Sequence, residues 1–139
     1  MQKLASVALP SELDNLSRFT RCASEAARGH GLPPERVGQV ELAVEETVLN
    51  ICQHGGAPGP VPIEMTCLAD GDSFLVELAD RGVPFDLTAQ PAPDLGQDLA
   101  QRPIGGLGTH LVRKITDALA YRRESGRNIL LMTFGRAPR

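Results

Sequence analysis

The 139-residue chain contains no apolar run near the roughly 20 residues that cross a bilayer. Its first apolar stretch, residues 4–9, is too short for a signal-peptide core. It also lacks a basic excess. Fourteen Lys and Arg stand against 17 Asp and Glu, for a formal net charge of −3 and an isoelectric point near 5.6. Nucleic-acid binders usually carry the opposite balance, so direct contact with nucleic acid is not expected. Cysteine is scarce: Cys22, Cys52 and Cys67 are odd in number, widely spaced, and form no CxxC pair. Each sits in an apolar context, which predicts buried reduced thiols and neither disulfides nor a zinc site. No internal repeat is present, which excludes solenoid architectures. The remainder, 42% apolar and 22% charged, has the composition of one globular domain. The expectation is a single cytoplasmic domain with no membrane contact.

Punctuation by Pro and Gly divides the chain. Residues 3–9 predict a first strand ended by Pro10, with Ser11 as the N-cap of a helix that Gly29 and Gly31 stop. Pro33-Pro34 opens a second helix running to about His54. Residues 61–68 and 74–79 read as a hairpin across Asp70-Gly71-Asp72. Residues 81–104 hold four Pro and two Gly with little periodicity, and a connection of that length is usually functional. A third helix over 107–117 and a last hairpin, 118–123 with 128–134, complete the chain. Hairpins on one side and helices gathered elsewhere predict an α+β sandwich.

The second helix has two faces. Val37, Val40, Val44, Val48 and Ile51 form a narrow stripe suited to meeting a sheet. Glu46, Asn50 and His54, spaced i, i+4, i+8, run along an edge roughly opposite, bordered by Leu42, Ala43 and Leu49. Such a line suits a cleft: carboxylate and carboxamide oxygens are ligands Mg²⁺ accepts, and a partly dry carboxylate serves as a general base. An ordinary surface edge explains Glu46 and Asn50 as well, and a helix end explains His54. Glu41 and Glu45 lie nearer the border of the valine stripe and read as flanking charges.

Two glycine-bearing loops follow. Asp80-Arg81-Gly82-Val83-Pro84-Phe85-Asp86 is either a strand-end turn or a carboxylate placed for an amine-bearing ligand such as adenine, with Gly82 allowing close approach. Gly105-Gly106-Leu107-Gly108 leads straight into the third helix, where free N–H groups and the helix dipole favour an anion. It is neither a P-loop, since no GKS or GKT follows, nor a dinucleotide fingerprint, since no strand precedes it.

Glu46-x-x-x-Asn50-x-x-x-His54, Asp80-x-Gly82-x-Pro84-Phe85-Asp86 and Gly105-Gly106-Leu107-Gly108 stand in the order of the N, G1 and G2 boxes of the GHKL ATPases. DRGVPFD, GGLGTHLVRKITD and YRRESGRNILLMTF make the chain resemble the small anti-sigma-factor serine/threonine kinases of the RsbW and SpoIIAB type over nearly its whole length. The resemblance implies a two-layer α/β sandwich of the Bergerat type, with a mixed, mostly antiparallel sheet and about three helices on one face. It implies ATP or ADP with Mg²⁺, Asn50 holding the metal and Glu46 acting as the base. Asp80 and Gly82 would meet adenine, with His54 and Phe85 beside the nucleotide. Gly105, Gly106, Leu107 and Gly108 would serve the phosphates, with Thr109 either joining them or capping the helix. Residues 87–104 would be the ATP lid. The implied partners are a STAS-domain anti-anti-sigma factor as substrate, a sigma factor or other effector that is sequestered, and a second copy of the chain in a homodimer. A sequestering module that binds ATP with little transfer fits the same motifs. A histidine kinase does not, because 139 residues leave no room for a dimerisation helix with a phosphoacceptor His. The cluster Arg122, Arg123, Arg127, Arg136 and Arg139 reads as a solvated hairpin and tail, with an acidic partner as the alternative.

Overall fold

The computed structural model describes residues 1–54, 60–89 and 106–139. Five strands form one sheet: β1 (Gln2–Pro10), β2 (Pro62–Asp70), β3 (Ser73–Asp80), β4 (Ala118–Glu124) and β5 (Arg127–Phe134). Their spatial order is β1-β2-β3-β5-β4, and every pairing is antiparallel. The parallel component of a mixed sheet is therefore absent among the described residues. Three helices, α1 (Leu16–Gly29), α2 (Pro34–His54) and α3 (Gly106–Ile115), complete an α+β sandwich. Beyond a short 3-10 turn at Leu87–Ala89, the expected lid lies outside the described residues.

Alternation along the strands decides which side meets the helices. Ile63, Met65 and Cys67 of β2, Phe74, Val76 and Leu78 of β3, and Leu130, Met132 and Phe134 of β5 are buried. They pack with Phe19, Ala23 and Ala27 of α1, the valines of α2, and Val112 and Ile115 of α3. The last hairpin turns at Ser125-Gly126, whose φ values of 53° and 75° match the two positive angles of a type I′ turn. All three cysteines are free, as expected, but only Cys67 is fully buried, and burial pushes its thiol up to about 12.

Two local expectations need correction. Ser11 does not cap a helix: its Oγ accepts the Val61 N–H (2.9 Å), extending the β1–β2 pairing before a 3-10 turn at Leu13–Asn15 leads into α1. Asn50 does not lie opposite the valines, because the buried face of α2 is wide and takes in Arg36, Ala43, Thr47 and Asn50. The arginine cluster is solvated as expected, Arg122, Arg123, Arg136 and Arg139 being exposed, and its members bond neighbours at the surface. Arg123 bonds the Gly82 carbonyl, Arg127 pairs with Glu64, Arg136 with Asp72 and Arg139 with Asp117.

A buried charge that was not singled out in the sequence ties the helical layer to the chain end. Arg36 is fully buried. Its guanidinium donates to the carbonyls of Gly135 (2.8 Å) and Ile115 (2.6 Å) and to Gln39 Oε1 (2.6 Å), and pairs with Asp117 at 2.5 Å over the Phe134 ring. Burial pushes the Asp117 carboxyl up, but the Gly135 N–H, Arg139 and Arg36 together outweigh it and hold the pKa below its ordinary 3.8. A depressed carboxylate stabilises the fold above that ordinary value, and the contribution is lost as pH falls through the folded-state value. Asp117→Asn is therefore expected to lower the thermal midpoint at pH 7, with the gap to wild type closing as the pH is taken below the ordinary carboxylate range.

Candidate functional site

Antiparallel register gathers the polar residues of the core at one end of the sheet. Asp80 is the last residue of β3 and pairs with Asn128, the second residue of β5, which in turn pairs with Arg123 of β4. Counting back by twos from Leu78 and Leu130 shows that Asp80 and Asn128 point to the helical side. They are 6% and 7% exposed.

Asn128 is the hub of this end. Its Nδ2 donates to Asp80 Oδ1 (3.2 Å) and the Val83 carbonyl (2.8 Å). Its Oδ1 accepts from the Tyr121 hydroxyl (2.6 Å), the Phe85 N–H (3.2 Å) and Arg123 (3.2 Å). Arg123 also donates to the Gly82 carbonyl at 2.8 Å. Gly82 donates its N–H to Asp80 Oδ1 (2.8 Å), so the Asp80 turn and the carboxylate site are one structure. Both of these bonds to Asp80 go to Oδ1, leaving Oδ2 as the carboxylate oxygen for a ligand. Asn128→Ala is expected to cost about 2–3 kcal/mol in chemical denaturation, because it strips a buried carboxylate and two loop backbone groups of partners.

The open side of Asp80 faces a cleft between α2 and the sheet. Ile51, Leu78, Val83, Leu87 and Leu130 give it apolar walls, while Thr47, Asn50, Asp80, Tyr121 and Asn128 supply the polar groups. His54 and Phe85 form its rim, their rings parallel within 5° and 4.8 Å apart. A mostly apolar slot with a few fixed polar groups at one end suits a flat heteroaromatic ring with a hydrogen-bonding edge.

Asn50 is 3% exposed, and its Nδ2 has no hydrogen-bond partner among the described residues. A buried amide left unpaired costs about 1–3 kcal/mol, and such orphans call for an explanation such as a missing ligand. One turn earlier on α2, Glu46 is half-buried and lies against Gly108 in the first turn of α3. Burial raises its pKa, with a smaller push from Glu45. That shift moves a carboxylate toward the range in which it exchanges protons near neutral pH.

The expected residues thus divide. Asn50, His54, Asp80 and Phe85 meet at the cleft. Glu46 and Gly108 meet beside it, and Gly82 lies buried behind it under Arg123. Thr109 is buried in α3, Gly106 and Leu107 form its start, and Gly105 lies outside the described residues. Thr47, Tyr121 and Asn128 were not singled out in the sequence, and Arg123 was read only as part of the basic cluster.

A cleft walled by one long helix and an antiparallel sheet, with a carboxylate at a strand end and a glycine-led helix beside it, has known counterparts. The histidine kinase-like ATPase domain matches residues 9–134. The chain belongs to that family. Among curated members of the family, the serine/threonine-protein kinase BtrW of Bordetella bronchiseptica is 34% identical over 98 residues, covering 70% of this chain and 69% of its own. The serine-protein kinase RsbW of Listeria monocytogenes is 25% identical over 141 aligned positions, covering 96% and 88%. The fold agrees with that of two solved structures. The RsbU and RsbW domains of a Mycobacterium tuberculosis protein superpose with a TM-score of 0.60 at 15% identity, over 97% of this chain and 33% of that one. The Acinetobacter baumannii histidine kinase AdeS superposes at 0.52 and 11% identity, over 94% and 68%. No helix among the described residues of this ATPase domain is long and apolar enough to cross a membrane.

Proposed function

We propose that the chain is a Mg-ATP-dependent protein serine/threonine kinase of a partner-switching system. It phosphorylates a STAS-domain anti-anti-sigma factor and, as a homodimer, sequesters a sigma factor or another effector. The observation that carries this reading is the alignment of three groups along one path. Asp80 stands at the closed end of an apolar slot, the unpaired Asn50 amide on its wall, and Glu46 one turn further at the start of α3. Four residues of helix advance about 6 Å, the scale that separates successive parts of a bound nucleotide.

Adenine enters the slot with its amino group donating to Asp80, whose other oxygen is fixed by Gly82 and Asn128. His54 and Phe85 shield the rim. The backbone N–H groups of Gly106, Leu107 and Gly108 open α3 and lie where the dipole favours phosphates, with roles for Gly105 and Thr109 beside them. Residues 87–104 serve as the lid.

The residues present fit a magnesium site of the kind completed by phosphate and water oxygens. No group of three or more His, Cys, Asp or Glu side chains forms a metal cage among the described residues, and the Nδ2 of the buried Asn50 amide has no partner among them. Mg²⁺ is usually held by one or two protein groups with the rest of its shell from substrate phosphates and water. Asn50 would hold it through its side-chain oxygen, the amide being free to turn over. When bound, the ion supplies charge neutralisation at the phosphates. Glu46 accepts the proton of the acceptor Ser or Thr hydroxyl as its oxygen bonds the γ-phosphorus and the bond to the bridging oxygen of ADP breaks. The proton then leaves Glu46 to water.

The test is incubation with γ-³²P-labelled ATP, Mg²⁺ and purified STAS-domain proteins bearing an acceptor Ser or Thr. Label on a Ser or Thr of a STAS protein is the expected result. Tight partner binding with bound nucleotide and no label would sink the kinase reading in favour of a sequestering module.

A further inference from the structure

Gly108 has no positive φ, so its backbone conformation does not demand glycine. The demand comes from space. A Cβ built at this position would overlap Glu46 Oε2 and stand 2.9 Å from Cδ and 3.5 Å from Cγ. Gly38, inside α2, meets nothing within 4 Å on the same construction. The bare Cα of residue 108 is therefore a seat into which the Glu46 carboxylate fits, on the side of α3 that faces α2.

We propose that Gly108 is a positioning residue for phosphoryl transfer, its missing side chain fixing where the Glu46 carboxylate waits for the acceptor hydroxyl. This role rests on the kinase reading and deepens it. A methyl at 108 meets the far end of a flexible side chain, which swings away at little cost to the fold. Alanine keeps the backbone N–H and favours the helix more than glycine does. What is lost is the place of the carboxylate. The proton of the Ser or Thr hydroxyl then has no acceptor within reach as the new O–P bond forms and the bond to ADP breaks.

The experiment compares wild type, Gly108→Ala, Glu46→Asp and the double variant in transfer from Mg-ATP to a STAS-domain protein. Nucleotide affinity is measured with Mg²⁺ and a non-hydrolysable ATP analogue. The side-chain carboxyl ¹³C resonance of Glu46, assigned by its absence in Glu46→Gln, is read without nucleotide. Gly108→Ala is expected to lower kcat by about 100-fold, the scale of a lost general base. The Kd of the analogue should move by less than about three-fold, which marks an effect outside uniform binding. The Glu46 resonance should shift. Aspartate is one methylene shorter and clears the new methyl, so adding Gly108→Ala to Glu46→Asp should cost less than about five-fold, a strong departure from additivity.

A Gly108→Ala kcat close to wild type overturns the proposal. So does a loss of analogue binding that matches the loss of kcat, since residue 108 would then serve the phosphates alone. So does the full 100-fold cost in the Glu46→Asp background. Absence of transfer by wild type itself overturns the kinase reading and this role with it, and is distinguishable because it occurs without any substitution.

Discussion

Glu46→Gln is expected to slow phosphoryl transfer by about 10²–10⁴-fold, the range that a positioned general base contributes. Glutamine keeps the size and most of the packing of the side chain, so the contact with Gly108 survives and only proton acceptance is removed. Glu46 does not line the slot proposed for the adenine ring, whose polar lining is Thr47, Asn50, Asp80, Tyr121 and Asn128. Nucleotide affinity should accordingly hardly change. Single-turnover transfer under saturating Mg-ATP separates the two quantities. A variant that transfers at the wild-type rate would show that Glu46 accepts no proton, and the role of base would pass to another group. A variant that loses rate and nucleotide affinity together would place Glu46 in binding instead.

The second large effect is on stability. Arg36→Ala is expected to cost about 3–5 kcal/mol, the scale of breaking a buried ion pair. That is a large part of the 5–15 kcal/mol that holds a typical domain. Three independent losses contribute. The carbonyls of Ile115 and Gly135 lose their donors, Asp117 loses its buried cationic partner, and the space beneath the Phe134 ring empties. Arg36→Lys should recover less than half of the loss. An ammonium cannot present a planar fork to two carbonyls, a carboxylate and a glutamine in different directions. Equilibrium urea unfolding reads both variants. A cost below about 1 kcal/mol for Arg36→Ala would mean that desolvation of the guanidinium offsets its bonds almost completely.

Arg36 also shows where sequence reading loses its grip. It follows Pro33-Pro34 and Glu35 in the first turn of a helix, where an arginine ordinarily points to water. Yet Arg36, Val40, Ala43 and Thr47 recur at helical spacing, and all are buried. The signal was present as a continuation of the apolar face, masked by a charge. Asn50 suffered the same fate at the other end of α2. A narrow valine stripe is easily read from five residues, whereas the true width of the buried face depends on what packs beside it, here the slot and α3. The hairpins, by contrast, were legible because Asp-Gly and Ser-Gly turns flanked by β-rich runs act locally.

Asn128 was hidden for a different reason. It follows the turn glycine Gly126 by two residues and looks like part of the turn. Its importance lies wholly in register, which sets it against Asp80, 48 residues away in the chain. Long-range pairing of strands leaves no trace at the position itself. The glycine boxes were visible as motifs, but the reason for glycine at 108, the side chain of Glu46 on another helix, required three dimensions.

The proposed kinase activity requires a Mg-nucleotide site built around Asn50 and Asp80. Isothermal titration of ATP into wild type and Asn50→Ala, each with and without Mg²⁺, tests it most directly. Wild type should bind, more tightly with Mg²⁺ than without, and Asn50→Ala should lose about ten-fold or more of the Mg-dependent affinity. No binding to wild type at millimolar ATP, or an affinity that ignores both Mg²⁺ and Asn50, would contradict it.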